Sequence, residues 1–257
     1  MITNFHTHTY RCMHAQGTEE DYVKAAINQG VEILGFSDHA PFPDHDFGLR
    51  MKYDELDDYL NELERLKGIY GDKIKILKGL EIEYLTKYLS YYKELLEKRG
   101  LDYLALGEHT YVNPQGELKN IFFAESTDDY VNYASAVCEA IETGLFAFVA
   151  HPDIMFINDY DWDDNCEKAC DMIIDCAEKN NIILEFNANG LRREKRMYPG
   201  GVRYPYPHKN FWEKVSKRNI RVLIGSDNHQ PEQVNDSYVQ LARELTKNLE
   251  LNVIETI

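Results

Sequence analysis

Apolar residues recur along this chain in short runs, separated by longer stretches with helical spacing. The runs are Ile2–His6, Val31–Ser37, Ile74–Glu83, Leu101–Gly107, Phe146–Ala150, Ile182–Asn187 and Arg221–Gly225. Each is rich in Ile, Leu, Val or Phe, as a strand covered on both faces should be. The stretches between them predict helices. Thr18 followed by Glu19–Gly30 reads as an N-capped helix ended by glycine. Tyr53–Gly68 puts Leu56, Leu60, Leu63 and Leu66 at helical spacing. Further helices are predicted at Lys87–Arg99, Asp128–Thr143, Asp163–Asn180, His208–Arg218 and Pro231–Leu249. Strand–helix alternation implies a parallel sheet with right-handed crossovers. No glycine-rich phosphate loop follows the first strand, which weighs against an open nucleotide-binding sheet. The expectation is one α/β domain over residues 1–257, a closed or distorted (β/α)7 barrel.

Composition narrows this only a little. A chain of 257 residues, 44% hydrophobic and 28% charged, fits one core, because α/β barrels of roughly 200–250 residues are routinely single domains. The net charge of −16 repels nucleic acid and anionic membrane, so neither is expected as a partner. An anionic small molecule is still allowed where local cations override the distant field. The cysteines, Cys12, Cys138, Cys166, Cys170 and Cys176, are odd in number, which argues for a reducing compartment. MITNFHTHTY has no basic n-region or long apolar stretch, and no run reaches the ~18 apolar residues of a membrane span. A cytoplasmic location is expected; oligomeric state is left open.

The chemistry sits where the apolar runs end. In a parallel barrel the active site lies at the C-terminal ends of the strands. The first run ends in His6 and His8, two residues apart and therefore on the same side. The second leads to Asp38 and His39, the third carries Glu81, the fourth leads to His109, the fifth to His151, and the seventh to Asp227 and His229. His14 lies in the loop after the first strand. Imidazole and carboxylate together suit Zn, Fe or Mn, and the set is too large for one ion. His45 and His208 do not follow strands and are expected to be a loop residue and a helix start. Cys166 and Cys170 share an i, i+4 face with no histidine beside them and read as small buried residues.

His6-Thr7-His8, Ser37-Asp38-His39, Glu81, His109, His151-Pro152 and Asp227-Asn228-His229, in this order and spacing, resemble the polymerase and histidinol phosphatase (PHP) superfamily. The resemblance runs through the whole chain. Ser37-Asp38-His39-Ala40-Pro41, Leu184-Glu185-Phe186-Asn187-Ala188-Asn189-Gly190-Leu191-Arg192 and Tyr198-Pro199 are most similar to its free-standing histidinol phosphatases. The resemblance implies a distorted (β/α)7 barrel and three divalent ions, zinc first, with manganese or iron as alternatives. It implies one ion on His6, His8, Glu81 and Asp227. A second would sit on Glu81, His109 and His151, with Glu81 bridging, and a third on His14, His39 and His229. It implies hydrolysis of the phosphate monoester L-histidinol phosphate to L-histidinol and inorganic phosphate, a step of histidine biosynthesis.

Charge supports such chemistry. Three dications less two carboxylates leave about +4 at one rim, which attracts both a phosphate dianion and hydroxide. A hydroxide bridging two ions is the expected nucleophile, with Asp227 orienting it as well as binding metal. For the leaving-group proton, Asp38 and a metal-bound water are both candidates; the alternative role for Asp38 is to orient a ligand histidine. The sixth run offers no metal ligand but leads into Arg192-Arg193-Glu194-Lys195-Arg196. Arg192 is expected to grip the phosphate, with Arg193, Lys195 and Arg196 solvated and Arg203 undecided. Asp44 and Asp46, or Glu117 with Tyr111, are candidates for reading the imidazole and ammonium. Another PHP phosphoesterase, acting on a nucleotide or phosphotyrosine, and a non-catalytic metal-binding module are the competing readings.

Overall fold

A computed structural model describes residues 1–257. Eight parallel strands form one sheet in chain order: β1 (Thr3–Asn4), β2 (Ile33–His39), β3 (Lys75–Ile82), β4 (Tyr103–Leu106), β5 (Phe148–Val149), β6 (Ile183–Asn187), β7 (Arg221–Gly225) and β8 (Asn252–Val253). The order curls the sheet toward closure. A parallel bridge joins Thr7 to Asn228 at the upper end, where His8 N–H donates to the Asn228 carbonyl at 3.1 Å. At the lower end β8 pairs with β7, and the Thr3 hydroxyl donates to Glu255 at 3.0 Å. The result is the distorted barrel expected from the cadence, with one short strand more than the apolar runs disclosed. Two residues of strand are too few for a periodicity to show.

The helices follow their sequence signals closely. In α1 (Glu19–Asn28), Thr18 and Asp21 form a reciprocal capping box. Then come α2 (Leu56–Tyr70), α3 (Leu89–Glu97), α4 (Asp128–Glu142) and α5 (Asp164–Asn180), the last capped by the Asp163 carboxylate. After β6 come a single turn α6 (Asn189–Arg192), α7 (Lys209–Val215) and α8 (Ser237–Asn248). The predicted helix Pro231–Leu249 is broken because Asp236 caps α8, accepting from the Tyr238 and Val239 amides. Two antiparallel hairpins, 110–120 and 196–203, were not foreseen. No helix is long and apolar enough to cross a membrane.

The core has two parts. A large cluster of 63 buried residues packs helices against the outside of the sheet. A small inner cluster, including Phe5, Ile33, Tyr103, Phe148, Ile183 and Leu223, fills the barrel floor. The Tyr103 hydroxyl lies 2.7 Å from the Phe5 carbonyl and 2.8 Å from that of Phe36, so even its polar atom is satisfied. That plug ends the apolar interior and leaves the opposite mouth for polar side chains.

Candidate metal centre

All nine expected ligands meet at the mouth. His6 Nε2 lies 3.5 Å from Glu81 Oε1 and 3.7 Å from Asp227 Oδ1. His8 Nε2 lies 3.6 Å from Glu81 Oε2 and 3.2 Å from Asp227 Oδ1. Two donors held tetrahedrally by one zinc, at about 2.0–2.1 Å each, stand about 3.3–3.4 Å apart, and these spacings match. On the other side of Glu81, Oε1 is 2.8 Å from His151 Nε2 and 3.6 Å from His109 Nε2. His14, His39 and His229 bring donor atoms within one ion's reach of each other; His14 Nε2 and His229 Nε2 stand 2.9 Å apart. Glu81 touches both flanks, and His39 Nδ1 lies 3.0 Å from its Oε2.

Buried polar atoms without partners point the same way. His6 Nε2, both ring nitrogens of His8, His39 Nδ1, Glu81 Oε2 and His151 Nδ1 are buried with no hydrogen bond. An orphaned buried polar atom is costly, and His6 Nε2, His8 Nε2 and Glu81 Oε2, which stand within one ion's reach of each other, fit a cation-binding nest. The charges agree. Burial opposes ionisation of Glu81, yet the imidazoles of His109, His6 and His39 hold its carboxyl well below the usual range. Burial likewise opposes protonation of His8, but Asp227 and Asp38 push it up to about 9. Burial and the His8 charge depress His229 to about 3. Protons thus occupy part of a nest that divalent cations would take over.

Local backbone is shaped for this. His151 (φ 31°) and Asp227 (φ 48°) adopt left-handed conformations, a cost non-glycine residues bear chiefly at functional sites. Gly107 and Gly225 leave space for carboxylates. A Cβ on Gly107 would stand 2.2 Å from Glu81 Oε1, and one on Gly225 would stand 1.7 Å from Glu185 Oε1.

Behind the ligands lies a layer that residue types alone did not identify. Glu185 Oε1 is 2.7 Å from His6 Nδ1, while Oε2 accepts from the His151 amide at 3.0 Å and Asn187 at 2.8 Å. Glu83 stands 3.1 Å from His109 Nδ1 and accepts from Arg50. Asn187 and Asn189 donate to Asp227 Oδ2 at 3.2 and 3.1 Å, leaving Oδ1 to face His6 and His8. Such partners fix ring orientation and basicity. Glu83 follows Glu81 by two residues, just past the end of β3, so it was findable. Glu185 looked like any residue of a buried strand.

Several expectations are corrected by position. Asp38 does not face the mouth. It is fully buried, accepts from the Thr9 and His39 amides at 3.1 and 2.9 Å, and its Oδ1 stands 3.6 Å behind His8 Nδ1. It orients rather than donates. Arg192 has its guanidinium engaged by Asp236, the carbonyls of Ser226 and Gln233, and the Ser226 hydroxyl. It lines the mouth cavity, as expected, but clamps the loop after β7, which leaves only Nη1 with an N–H to spare. Arg193 is exposed, as expected, and also lines the cavity at the mouth beside Arg192, with Nε donating to Tyr206 at 3.2 Å. Asp44, Asp46, Tyr111 and Glu117 do not line that cavity of about 630 Å³; Phe47, Leu49, Phe122 and Phe123 do. His45 packs on Phe47 outside the nest. The Cys12 thiol donates to the Thr9 carbonyl and is pushed up by burial, so it keeps its proton.

A PHP domain model matches residues 4–189, which span β1 to β6 and all the ligands except Asp227 and His229. The chain belongs to the PHP domain family. Among relatives of this PHP protein, a probable histidinol-phosphatase of Deinococcus radiodurans is 27% identical, covering 95% of this chain and 92% of its own. The histidinol-phosphatase of Bacillus subtilis is 25% identical, with 91% and 95% covered. The solved histidinol phosphate phosphatase of Lactococcus lactis, complexed with zinc, L-histidinol and phosphate, superposes with a TM-score of 0.73 at 18% identity, covering 98% and 95%. A Listeria monocytogenes chain gives 0.74 at 20%, covering 93% and 99%. These structural likenesses establish the fold.

Proposed function

We propose that this PHP protein is a metal-dependent phosphatase that hydrolyses L-histidinol phosphate to L-histidinol and inorganic phosphate. The observation that carries the reading is the nest of nine ligand residues at the barrel mouth, five of them with a buried, unpartnered polar atom. The relatives named histidinol-phosphatase, covered over nearly their whole length, support the choice of substrate. So does the Lactococcus protein, whose own complex contains zinc, L-histidinol and phosphate.

Three divalent ions, zinc foremost, fit the donors. His6, His8, Glu81 and Asp227 would hold one, Glu81, His109 and His151 a second, and His14, His39 and His229 a third. Bound there, such ions lower the pKa of water and neutralise charge on phosphate oxygens. The rest falls to side chains. Asp227 Oδ1 accepts a hydrogen bond from the attacking water and fixes its approach, while Asn187 and Asn189 hold Oδ2. Arg193, at the rim beside Tyr206, takes a phosphate oxygen with N–H groups that Tyr206 leaves free. Glu81 and Asp227 are the only carboxylates in the cavity wall, so the departing alkoxide takes its proton from solvent. Phe47, Leu49, Phe122 and Phe123 form an apolar lip suited to the imidazole ring; Phe122 stacks parallel on His109 at 5.8 Å.

Phosphate release from L-histidinol phosphate, a nucleoside 3′,5′-bisphosphate and phosphotyrosine tests the reading. A preference for the first on the order of 100-fold in kcat/KM is expected from a shaped pocket. Equal or better turnover of another ester would move the protein to a different PHP activity.

A further inference from the structure

A second cavity, of about 560 Å³, lies among the 196–203 hairpin, α7 and the end of α8, and it shares no lining residue with the metal mouth. Seventeen residues line it, and none is acidic, in a chain with 44 Asp and Glu. Three are cations: Lys195, Arg203 and Lys209. Arg203 is rigidly placed. Its Nη1 donates to the carbonyls of Phe156, Tyr204 and Pro205 at 3.0 Å each, and its guanidinium lies 3.6 Å from the Tyr198 ring centre. Lys195 Nζ sits 5.1 Å from the Tyr204 ring. Lys209 is largely exposed and only loosely paired with Glu213, at 3.5 Å.

The wall is aromatic as well as basic. Both tryptophans of the chain, Trp162 and Trp212, contribute to it. Trp162 is fixed by donating to Glu167 at 2.7 Å and stacks on the His208 ring at 4.9 Å and 15°. His208 is only 9% exposed, and its Nδ1 is buried without a hydrogen-bond partner. Burial and the Arg203 charge push His208 down to about 3, so the ring is neutral and contributes a hydrogen-bonding edge, not a charge. A buried imidazole edge without a partner is costly. Placed beside flat rings and three cations, in a lining without a carboxylate, it describes a receptor for something flat and negative.

We propose that this cavity binds a planar aromatic anion, its ring against the Trp162–His208 wall and its charged group toward Lys195, Arg203 and Lys209. A nucleoside monophosphate and a heteroaromatic carboxylate share that chemistry. The segment 193–208 connects the two cavities: Arg193 and Tyr206 line the metal mouth, while Lys195, Arg203 and His208 line this one. An occupant would therefore press on the stretch that carries the phosphate-gripping arginine.

Because both tryptophans lie in this wall, their fluorescence reads occupancy without reference to turnover. Holoprotein is titrated separately with adenosine 5′-monophosphate and imidazole-4-acetate, with adenosine and inorganic phosphate as controls. Saturable quenching by either anion is expected, weakened on the order of tenfold or more in the exposed double variant Lys195→Glu, Lys209→Glu. The anion that binds more tightly identifies the source. Absence of saturable quenching, or equal affinity for adenosine or in the charge-reversed variant, would overturn the proposal. So would a fluorescence change that tracks protein concentration alone, with a dimer in sedimentation; that would put a second copy of the chain in the cavity.

Discussion

The floor and the mouth of the barrel are built on the same strands and obey opposite rules. At the floor, Phe5, Tyr103 and Phe148 pack edge and face, and the Tyr103 hydroxyl reaches two carbonyls. One residue beyond Phe5 stands His6, and three beyond Phe148 stands His151, both buried with an unpartnered ring nitrogen. The floor is a packed interior that holds the strand ends in register. The mouth collects imidazoles and carboxylates that would be better solvated apart, each orphaned group costing about 1–3 kcal/mol. The barrel bears that cost because the floor fixes the geometry and because cations can complete the mouth.

The strongest way to break the contrast is to remove the residue shared by both flanks of the nest. Glu81→Ala should lower turnover on the order of 1,000-fold or more and reduce bound metal, while the barrel stays folded. Near-normal kcat/KM with full metal content would remove Glu81 from the centre. Next come the adjacent arginines. Arg193→Ala should cost on the order of 10–100-fold in kcat/KM with Tm unchanged. Arg192→Ala should instead lower stability by about 2–4 kcal/mol, because it leaves Ser226, Gln233 and Asp236 without their shared donor. The reverse pattern would return the phosphate grip to Arg192.

A smaller effect should appear with pH. His208 is held near 3 in the fold, against about 6.5 in the unfolded chain. Its folded value is depressed, so its contribution is present above about 6.5 and falls away as pH drops and the unfolded state alone takes up the proton. Between pH 6.5 and 5 this amounts to about 2 kcal/mol. His208→Phe, which preserves the stack, should flatten that part of the urea stability profile; an unchanged slope would mean that the folded ring accepts the proton. Smallest is the floor itself. Tyr103→Phe should cost about 1 kcal/mol in urea denaturation and leave metal content alone. A loss of metal would show that floor and mouth are not separable.

Much of this was written in the order of residues. A buried parallel strand must be an unbroken apolar run, and its ligand must sit at or near its end, so seven strands and eight of the nine ligands were legible. His14, in a loop, was placed by resemblance, and the fold brings it beside His229. The second layer was only partly in view. Glu83 follows Glu81 by two residues, but Glu185 sits inside a strand, where nothing local separates a carboxylate that supports a ligand from any other strand residue. Both neighbouring arginines line the mouth; which of them keeps its N–H groups free there depends on the single turn Asn189–Arg192, a detail no periodicity carries. Asp38 was in view, but only its contacts with Thr9 and the His39 amide show that it faces away. The lip of Phe47, Leu49, Phe122 and Phe123 comes from two loops distant in sequence, beyond the reach of any spacing rule.

Metal content and phosphate release from L-histidinol phosphate, followed together through chelation and reconstitution, test the central claim most directly. Stripped protein should lose release to background and regain it in proportion to bound zinc, manganese or iron. Undiminished hydrolysis by protein rigorously freed of metal would contradict the account.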